Sequence, residues 1–489
     1  MLKQDQNNSV SLKRQLSPMN VWALAFGCVI GWGSFINPGK KFLPNSGVAG
    51  TAIAMILGAL VMVIIAFSYA YMVPKYPKAG GEFTFTKVCF GKKAAFVCGW
   101  FLVAAYLTNV PMNSTAIGLI VDGLDGTADI LKFGFHYTIA GFDIYMGEML
   151  LATAILALFG YLNIVGVKKA GFVQTVLAVL LVVCVFTLFV TALISSKAKG
   201  INMQPIWGFN KSNATAANAT TAGIGQYAHE GTAGIVGAIL ATFAIAPWAY
   251  VGFDTIPQAA EEYNFSFKKV SFIMVIAIAF GCFVYISNNT VAAAVLENWP
   301  ERVMAGEWVV LVAATELMGD FGKILVGVGV SCAVLSGIMG FYLASSRLMY
   351  SMSRDGYLPK WFGKVDAKYG TPKNAMIFCI IISLSGPVLG REALGWFVDM
   401  SAIGASIGFF FTSAATLVTT KRDGDGTPFL NTMAVAGVTF STIFMILQLV
   451  PIPGLSGVHF GNESYMMLGA WIAIGLVFYA KQRKFFSAE

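Results

Sequence analysis

The chain has 489 residues, of which 57% are hydrophobic and 11% are charged, and its mean hydropathy is +0.72. Soluble proteins carry roughly 25% charged residues, so this composition excludes a soluble protein and indicates one that crosses a membrane repeatedly. The net charge of +8 is better explained by membrane topology than by a nucleic acid partner.

The hydropathy pattern predicts an all-α protein in which twelve helices cross the membrane. The predicted spans are 21–43, 48–73, 94–121, 145–163, 172–194, 233–258, 270–296, 324–350, 375–390, 394–419, 428–450 and 463–481. The predicted organisation, in chain order, is a cytoplasmic tail (1–20), five helices (21–194), an external loop (195–232), five further helices (233–419), two last helices (428–481) and a second cytoplasmic tail (482–489).

The distribution of basic residues predicts the orientation of the chain. With a cytoplasmic start and alternating connections, most of the 32 lysines and arginines fall on the cytoplasmic side. This asymmetry satisfies the positive-inside rule and predicts that both termini lie in the cytoplasm and that the protein is integral to the cell membrane. Basic internal connections such as 351–374 are also expected to contact anionic lipid. The external loop carries two sequons, at Asn213 and Asn218.

The first predicted span is interrupted at its middle by the sequence CVIGWGSFINPG, from Cys28 to Gly39. Glycine weakens a helix and proline removes a backbone donor, so Gly31, Gly33 and Pro38 make a continuous helix unfavourable. A break inside a membrane requires burial in protein or a wet cavity, because unpaired backbone groups are costly in hydrocarbon. On this segment alone, a kink used for packing is an equally good interpretation.

The sixth predicted span carries a second interruption, in ATFAIAPWAYVGFDTIPQAAEE from Ala241 to Glu262. Pro247 and Gly252 loosen its helix at a position that matches the break in the first span. Five spans separate the two breaks, so they cross in opposite directions, as in inverted repeats of five helices with a site between them.

Asp254 places a carboxylic acid near the middle of the same span, where an ionisable residue is expensive and is by default a functional candidate. It is a candidate to carry a proton during coupling or to sense pH. Alternatively, it hydrogen-bonds a neighbouring broken backbone and never titrates.

Two facing breaks offer opposite partial charges to a ligand. Amides freed around Trp32 to Ser34 suit a carboxylate, and carbonyls freed around Ala246 to Val251 suit an ammonium group. A zwitterion fits such a site, so an amino acid is the simplest substrate.

Three segments together resemble the amino acid–polyamine–organocation (APC) transporters, and the resemblance extends over the whole chain. They are GWGSFINPG in the first span, FAIAPWAYVGFDTIPQAAEE in the sixth, and ASSRLMYSMSRDGYLP from Ala344 to Pro359. The resemblance implies a LeuT-like fold of two inverted five-helix repeats plus two helices, with helices 1 and 6 unwound at mid-membrane, that works by alternating access.

The same resemblance implies roles for individual residues. The substrate carboxylate is expected on the amides of Gly31, Trp32 and Gly33, and its amino group on the carbonyls of Val29 and Val251. Trp248 occupies the position of the aromatic residue that closes over the substrate, and Asp254 occupies a position where many relatives carry an acid.

Two departures from the family pattern affect the site and the coupling ion. A bulky tryptophan, Trp32, stands between the glycines of the first break, where it narrows the site or adds a stacking surface. Leu181 stands where many sodium-independent members have a lysine. Coupling to Na⁺, coupling to H⁺ and exchange without either therefore remain open. Ser331 and Ser336 are candidate sodium ligands, although small residues there commonly serve packing.

Two further features complete the predicted sites. Asp399, near the outer end of the tenth span, is a candidate partner for Lys40 and Lys41 in an external gate, although a solvated interfacial aspartate explains it equally. The seven cysteines and three histidines are scattered, so we expect no disulfide framework, no metal centre and no bound cofactor.

The sequence therefore predicts a secondary transporter of amino acids or related amines, with a small-molecule substrate. A polyamine or organic-cation transporter or exchanger is the main alternative, and a non-transporting amino acid sensor is a lesser one. An enzyme requires clustered reactive side chains inside spans, and only Asp254 lies near mid-membrane. The sequence leaves the coupling ion and the oligomeric state open.

Overall fold

The computed structural model describes residues 12–125, 129–139, 142–210, 224–390, 393–452 and 459–486. The two predicted sequons, at Asn213 and Asn218, lie outside the described residues, as do residues 1–11 and 487–489 of the predicted tails.

The first half of the chain is built of helices. They are α1 Pro18–Val29, α2 Gly33–Asn37, α3 Leu43–Lys75, α4 Gly81–Leu107, α5 Asn109–Asp125, α6 Met146–Val165 and α7 Val167–Ile194. A π-helix, Pro38–Phe42, joins α2 to α3. A small antiparallel hairpin between α5 and α6, of β1 (His136–Ile139) and β2 (Phe142–Tyr145), is an addition to the predicted all-α architecture.

The second half is also helical. Its α-helices are α8 Gly231–Phe243, α9 Ala246–Tyr250, α10 Val270–Val295, α11 Trp299–Met304, α12 Val309–Met318, α13 Asp320–Arg354, α14 Lys373–Ser383, α15 Ser385–Leu389, α16 Ala393–Asp423, α17 Pro428–Leu449, α18 Asn462–Lys481 and α19 Arg483–Phe486. Short 3-10 segments complete it: Gly200–Met203, Ile224–Tyr227, Phe253–Glu262 and Phe267–Lys269.

Within the described ranges, nine helical stretches are long and apolar enough to cross a membrane, or ten if the pair Gly231–Phe243 and Ala246–Glu262, bent by 41°, is one span. The chain is therefore an integral membrane protein with many helical spans, as its composition predicts. One of the nine stretches, Pro18–Lys75, has 58 residues, far more than the roughly 20 that a single crossing needs.

Gly47 divides this long stretch between the first and second predicted spans. Its φ of +60° and ψ of −156° are not helical. A β-carbon there would lie 2.4 Å from Gly208 N and from Ile206 O, so only glycine fits. The loop after α7 therefore packs directly on the turn between the two spans.

The start of α1 is fixed by a capping box. Ser17 Oγ accepts from the amide of Asn20 at 3.3 Å, and Asn20 Oδ1 accepts from the amide of Ser17 at 3.1 Å. Asn20 Nδ2 also donates to Gly171 O and Thr175 Oγ1 on α7, at 3.1 and 3.0 Å. These bonds set the position at which α1 enters the bundle, and with it the position of the residues at its other end.

α13 lies at the centre of the bundle and α18 at its edge. α13 packs against α1, α4, α5 and α7, and 72% of its most apolar window is buried, compared with 11% for α18. α13, which packs against α1, therefore lies in the interior of the protein.

A buried ion pair joins α13 to the end of the segment Phe253–Glu262. Arg347 Nε donates to Glu262 Oε1 at 2.7 Å, and both side chains are fully buried. The carbonyl of Glu262 also accepts from the amides of Gln15 and Leu16, each at 2.9 Å. The entry to α1, the end of the second interrupted helix and α13 are thus tied together at one point.

We predict that Arg347→Met destabilises the protein by about 3–5 kcal/mol, because it leaves the Glu262 carboxylate buried without its cation. The measurement is the thermal unfolding midpoint of the purified protein in detergent. Lys199→Met is the matched control, since Lys199 pairs with Glu297 at an exposed site and its loss should change the midpoint little. Equal midpoints for both variants would contradict the assignment of Arg347 as a structural tie.

Candidate functional site

The first interruption lies between α1 and α2. Ile30, with φ −100° and ψ 86°, leaves the helical conformation, and the chain resumes a helix only at Gly33. The carbonyl of Gly31 accepts from the amide of Ser34 at 3.2 Å and from Ser34 Oγ at 2.9 Å. The helical backbone angles are thus interrupted between Val29 and Gly33, although Ile30 N still donates to Phe26 O at 3.0 Å and Trp32 O accepts from Ile36 N at 3.1 Å.

The second interruption lies between α8 and the segment Phe253–Glu262. α8 ends at Phe243, a short helix α9 follows, and Val251 and Gly252 are not helical, with φ +136° at Gly252. Only glycine adopts this conformation readily. Of the two residues that mark the break in the sequence, Pro247 is the second residue of α9 and Gly252 directly precedes the segment Phe253–Glu262.

The two interruptions touch each other directly. A β-carbon on Gly252 would lie 2.6 Å from the amide nitrogen of Val29 and 2.6 Å from Cys28 Cβ. On the other side, a β-carbon on Gly33 would lie 2.4 Å from Cη2 of Trp248. The main chain at Gly252 is therefore in contact with the last turn of α1, directly before the first break, and the indole of Trp248 lies on Gly33.

A small cavity lies where the two breaks meet. Five of the predicted substrate residues line it: Val29, Gly31, Trp32, Trp248 and Val251. Gly33 lies against Trp248 instead, and Ser34 is turned away, with its hydroxyl on Gly31 and its carbonyl accepting from Asn288 Nδ2 at 2.9 Å.

Two tryptophans close this cavity. The ring centroids of Trp32 and Trp248 are 6.0 Å apart at an interplanar angle of 53°, and both side chains are buried. The remaining volume is about 10 Å³, which is room for about one water molecule. A larger ligand enters only after an aromatic ring moves.

Further lining residues were missed by the sequence analysis. They come from α5, α10 and α13 and from the end of α1: Cys28, Asn109, Met112, Asn113, Tyr285 and Phe341. The signal for two of them was the pattern NVPMN in the third span, where two asparagines four residues apart share one helical face inside an apolar run.

Asp254 does not line the cavity; it lies two residues beyond the Gly252 contact, fully buried. Its Oδ1 accepts from the amide of Gly252 at 2.7 Å, and its Oδ2 accepts from the hydroxyl of Tyr106 at 3.0 Å. The carboxylate thus binds the broken backbone, which is one of the two roles the sequence left open.

A second buried carboxylate, Glu82, belongs to the same network. Its Oε1 accepts from Tyr69 OH at 2.7 Å and from Tyr106 OH at 3.3 Å, and its Oε2 accepts from Gln258 Nε2. Among the described residues, no lysine or arginine forms an ion pair with Glu82 or Asp254. Tyr106 therefore bridges two buried acids, of which sequence analysis found one.

The remaining predicted residues lie elsewhere. Asp399 Oδ2 accepts from Ser464 Oγ at 2.6 Å on α18, away from the cavity. Ser336 Oγ donates to the carbonyl of Gly27 on α1 at 3.2 Å, whereas Ser331 borders a separate surface cavity beside Asp320. The two serines are therefore not brought together, and only Ser336 adjoins the first interrupted helix.

Comparison with known proteins gives the family context. The family model described as amino acid permease matches residues 16–478. The chain is 26% identical to a methylthioribose transporter of Bacillus subtilis, over 98% of this chain and 95% of that protein. It is 24% identical to the branched-chain amino acid permease BcaP of the same species, over 96% and 93%. It is also 25% identical to human large neutral amino acids transporter small subunit 2, over 77% and 64%.

We predict that Gly252→Ala destabilises the protein by about 3 kcal/mol or more, because the new methyl group meets the backbone of Val29 at an unfavourable φ. The measurement is the thermal unfolding midpoint together with the yield of monodisperse protein. Gly237→Ala in α8 is the control, since a β-carbon there meets no atom of the described residues within 4 Å. A midpoint for the Gly252 variant equal to that of the control would show that the two breaks need no direct contact.

Proposed function

The chain belongs to the amino acid permease family, a premise from which we propose that it moves amino acids or related amines across the membrane by alternating access. The family consists of transporters and not of enzymes. The single observation that carries the proposal is the cavity at the contact between two interrupted helices, lined by Val29, Trp32, Trp248 and Val251.

The proposed topology has twelve spans, with the stretch Pro18–Lys75 folded at Gly47 into the first two. In this topology, residues 21–194 and 233–419 form two inverted repeats of five helices, and an interrupted helix comes first in each repeat. Residues 428–481 form the last two helices. The basic residues support cytoplasmic termini in the cell membrane. In this arrangement the breaks lie near mid-membrane.

The proposed substrate contacts follow from the half-helix ends. Amides of Gly31, Trp32 and Gly33 lie at the start of α2, where the helix dipole favours a carboxylate. Carbonyls of Val29 and Val251 lie at the ends of α1 and α9, where the dipole favours an ammonium group. Trp248 closes over the bound substrate.

The lining of the cavity favours a neutral zwitterion over a polyamine. Among the described residues that line it, none carries a charge, and the buried acid Asp254 lies behind the contact at Gly252. A polyamine requires acidic groups at the site to replace its hydration. The names of the relatives cover branched-chain amino acids, large neutral amino acids and methylthioribose, so membership of the family does not by itself define the substrate.

We assign proton coupling to the network of Glu82, Tyr106 and Asp254. Two carboxylates buried together without a cation are costly when both are ionised, so one proton shared between them is the favourable state. Asp254 is bonded to the amide of Gly252, where the two breaks touch, so a rearrangement of the breaks changes the surroundings of this proton. Sodium at Ser336 and Gly27 O is the alternative.

We predict that Trp248→Ala lowers uptake about tenfold or more at equal amounts of reconstituted protein, because the ring that covers the cavity is lost. The measurement is uptake into proteoliposomes of a panel of labelled neutral and cationic amino acids and polyamines. Trp361→Ala, which removes an exposed tryptophan, is the matched control. Unchanged uptake by the Trp248 variant would remove this residue from the gate, and uptake of polyamines alone would overturn the zwitterion assignment.

We predict that Asp254→Asn abolishes the acceleration of uptake by an inward proton gradient while exchange of unlabelled for labelled substrate continues. The asparagine carboxamide has nearly the same shape as the aspartate carboxyl group but carries no titratable proton. The measurement is initial uptake rate against external pH, with and without imposed proton and sodium gradients. Glu297→Gln, which changes an exposed acid paired with Lys199, is the control; identical pH profiles for both variants would make the Asp254 carboxylate structural.

A further inference from the structure

Two polar atoms at the cavity have no hydrogen-bond partner among the described residues. They are Oδ1 of Asn113, an acceptor on a side chain that is 1% exposed, and Nε1 of Trp32, a donor on a side chain that is 4% exposed. Both residues line the cavity between the breaks. A buried polar atom without a partner costs on the order of 1–3 kcal/mol, so the positions demand an explanation.

The Asn113 oxygen faces the first break. A β-carbon placed on Gly31 would have a single neighbour within 4 Å among the described residues, apart from its own chain neighbours, and that neighbour is Asn113 Oδ1 at 4.0 Å. Apart from its chain neighbours Ile30 and Trp32, the carboxamide oxygen of Asn113 is therefore the described atom nearest to a β-carbon placed on Gly31. The amide side of Asn113 is already used, because Nδ2 donates to Asn109 O at 2.7 Å.

Other buried side chains also carry oxygens without a partner among the described residues, so it is the position of Asn113 beside the cavity that points to a ligand. Asn163 Oδ1 also has no partner among the described residues, but Asn163 lies on α6, donates to the carbonyls of Phe159 and Met339, and does not line the cavity. Asn113 differs because its free oxygen borders the space into which the proposed substrate enters.

We infer that Asn113 and Trp32 form a specificity subsite for neutral amino acids whose short side chain carries a hydroxyl or a carboxamide. This inference rests on the proposed function. A hydroxyl both donates and accepts, so it donates to Asn113 Oδ1 and accepts from Trp32 Nε1, whereas an aliphatic side chain of equal size leaves both atoms unpaired. The bulky walls Trp32, Tyr285 and Phe341 keep the side chain short.

The test compares threonine with valine, which have nearly the same shape. Initial rates in proteoliposomes give Vmax/KM for each labelled amino acid, and the wild-type ratio of threonine to valine should be about tenfold or more. Asn113→Leu keeps the branched shape but has no polar side-chain atom, so it should bring the threonine-to-valine ratio close to one. Asn163→Leu is the matched control and should keep the wild-type ratio.

A second variant keeps the test decisive if Asn113→Leu does not fold. Trp32→Phe retains an aromatic ring and removes the N–H donor, and it should lower the threonine-to-valine ratio several-fold. A wild-type protein that carries valine as well as threonine, or a ratio unchanged in the folded Asn113 or Trp32 variant, overturns the subsite while leaving amino acid transport in place. A folded wild-type protein that neither takes up nor is thermally stabilised by any amino acid overturns the proposed function itself.

Discussion

The direct contact between the non-helical main chain at Gly252 and the last turn of α1 is the constraint on which the rest of the site depends. At Gly252 a β-carbon would lie 2.6 Å from the amide of Val29, so no side chain can separate the two interrupted helices there. Both helices give up ladder hydrogen bonds at this crossing. Inside a membrane such groups need a partner in the protein or in a ligand, because hydrocarbon offers none. The close contact therefore places the backbone of both breaks around one small cavity.

The same segment of chain carries three different structural roles in succession. Trp248 covers the cavity, Asp254 binds the amide of Gly252 and the hydroxyl of Tyr106, and Glu262 forms the buried ion pair with Arg347. Because Gly252 belongs both to the contact with Val29 and to the bond with Asp254, separating the two breaks also disturbs the carboxylate. This shared residue is the physical link between the proposed movement of the gate and the proposed release of a proton.

The sequence predicted those features that depend on local backbone chemistry. Gly31, Pro247 and Gly252 identify the interruptions because glycine and proline oppose a continuous helix whatever surrounds them. Asn109 and Asn113 share one helical face inside an apolar run, but that pattern does not indicate which helices they meet, and Glu82 lies in a polar connection where an acid is ordinary. Only the fold brings these residues to the cavity and to Tyr106.

Ser331 and Ser336 are five residues apart and so point about 140° apart on a helix, which explains why they do not meet.

Trp32 explains how a closed cavity and a selective one are compatible. Between two glycines, a small residue would leave the first break open; the indole instead packs near Trp248 and reduces the free volume to about 10 Å³. An apolar ring alone would close the space equally well, but the indole brings an N–H donor that has no hydrogen-bond partner among the described residues, and the same holds for the Oδ1 acceptor of Asn113. In the proposed subsite, an aliphatic occupant leaves both atoms without a partner. A substrate that pairs both atoms therefore gains binding free energy from the same residues that keep the empty cavity shut.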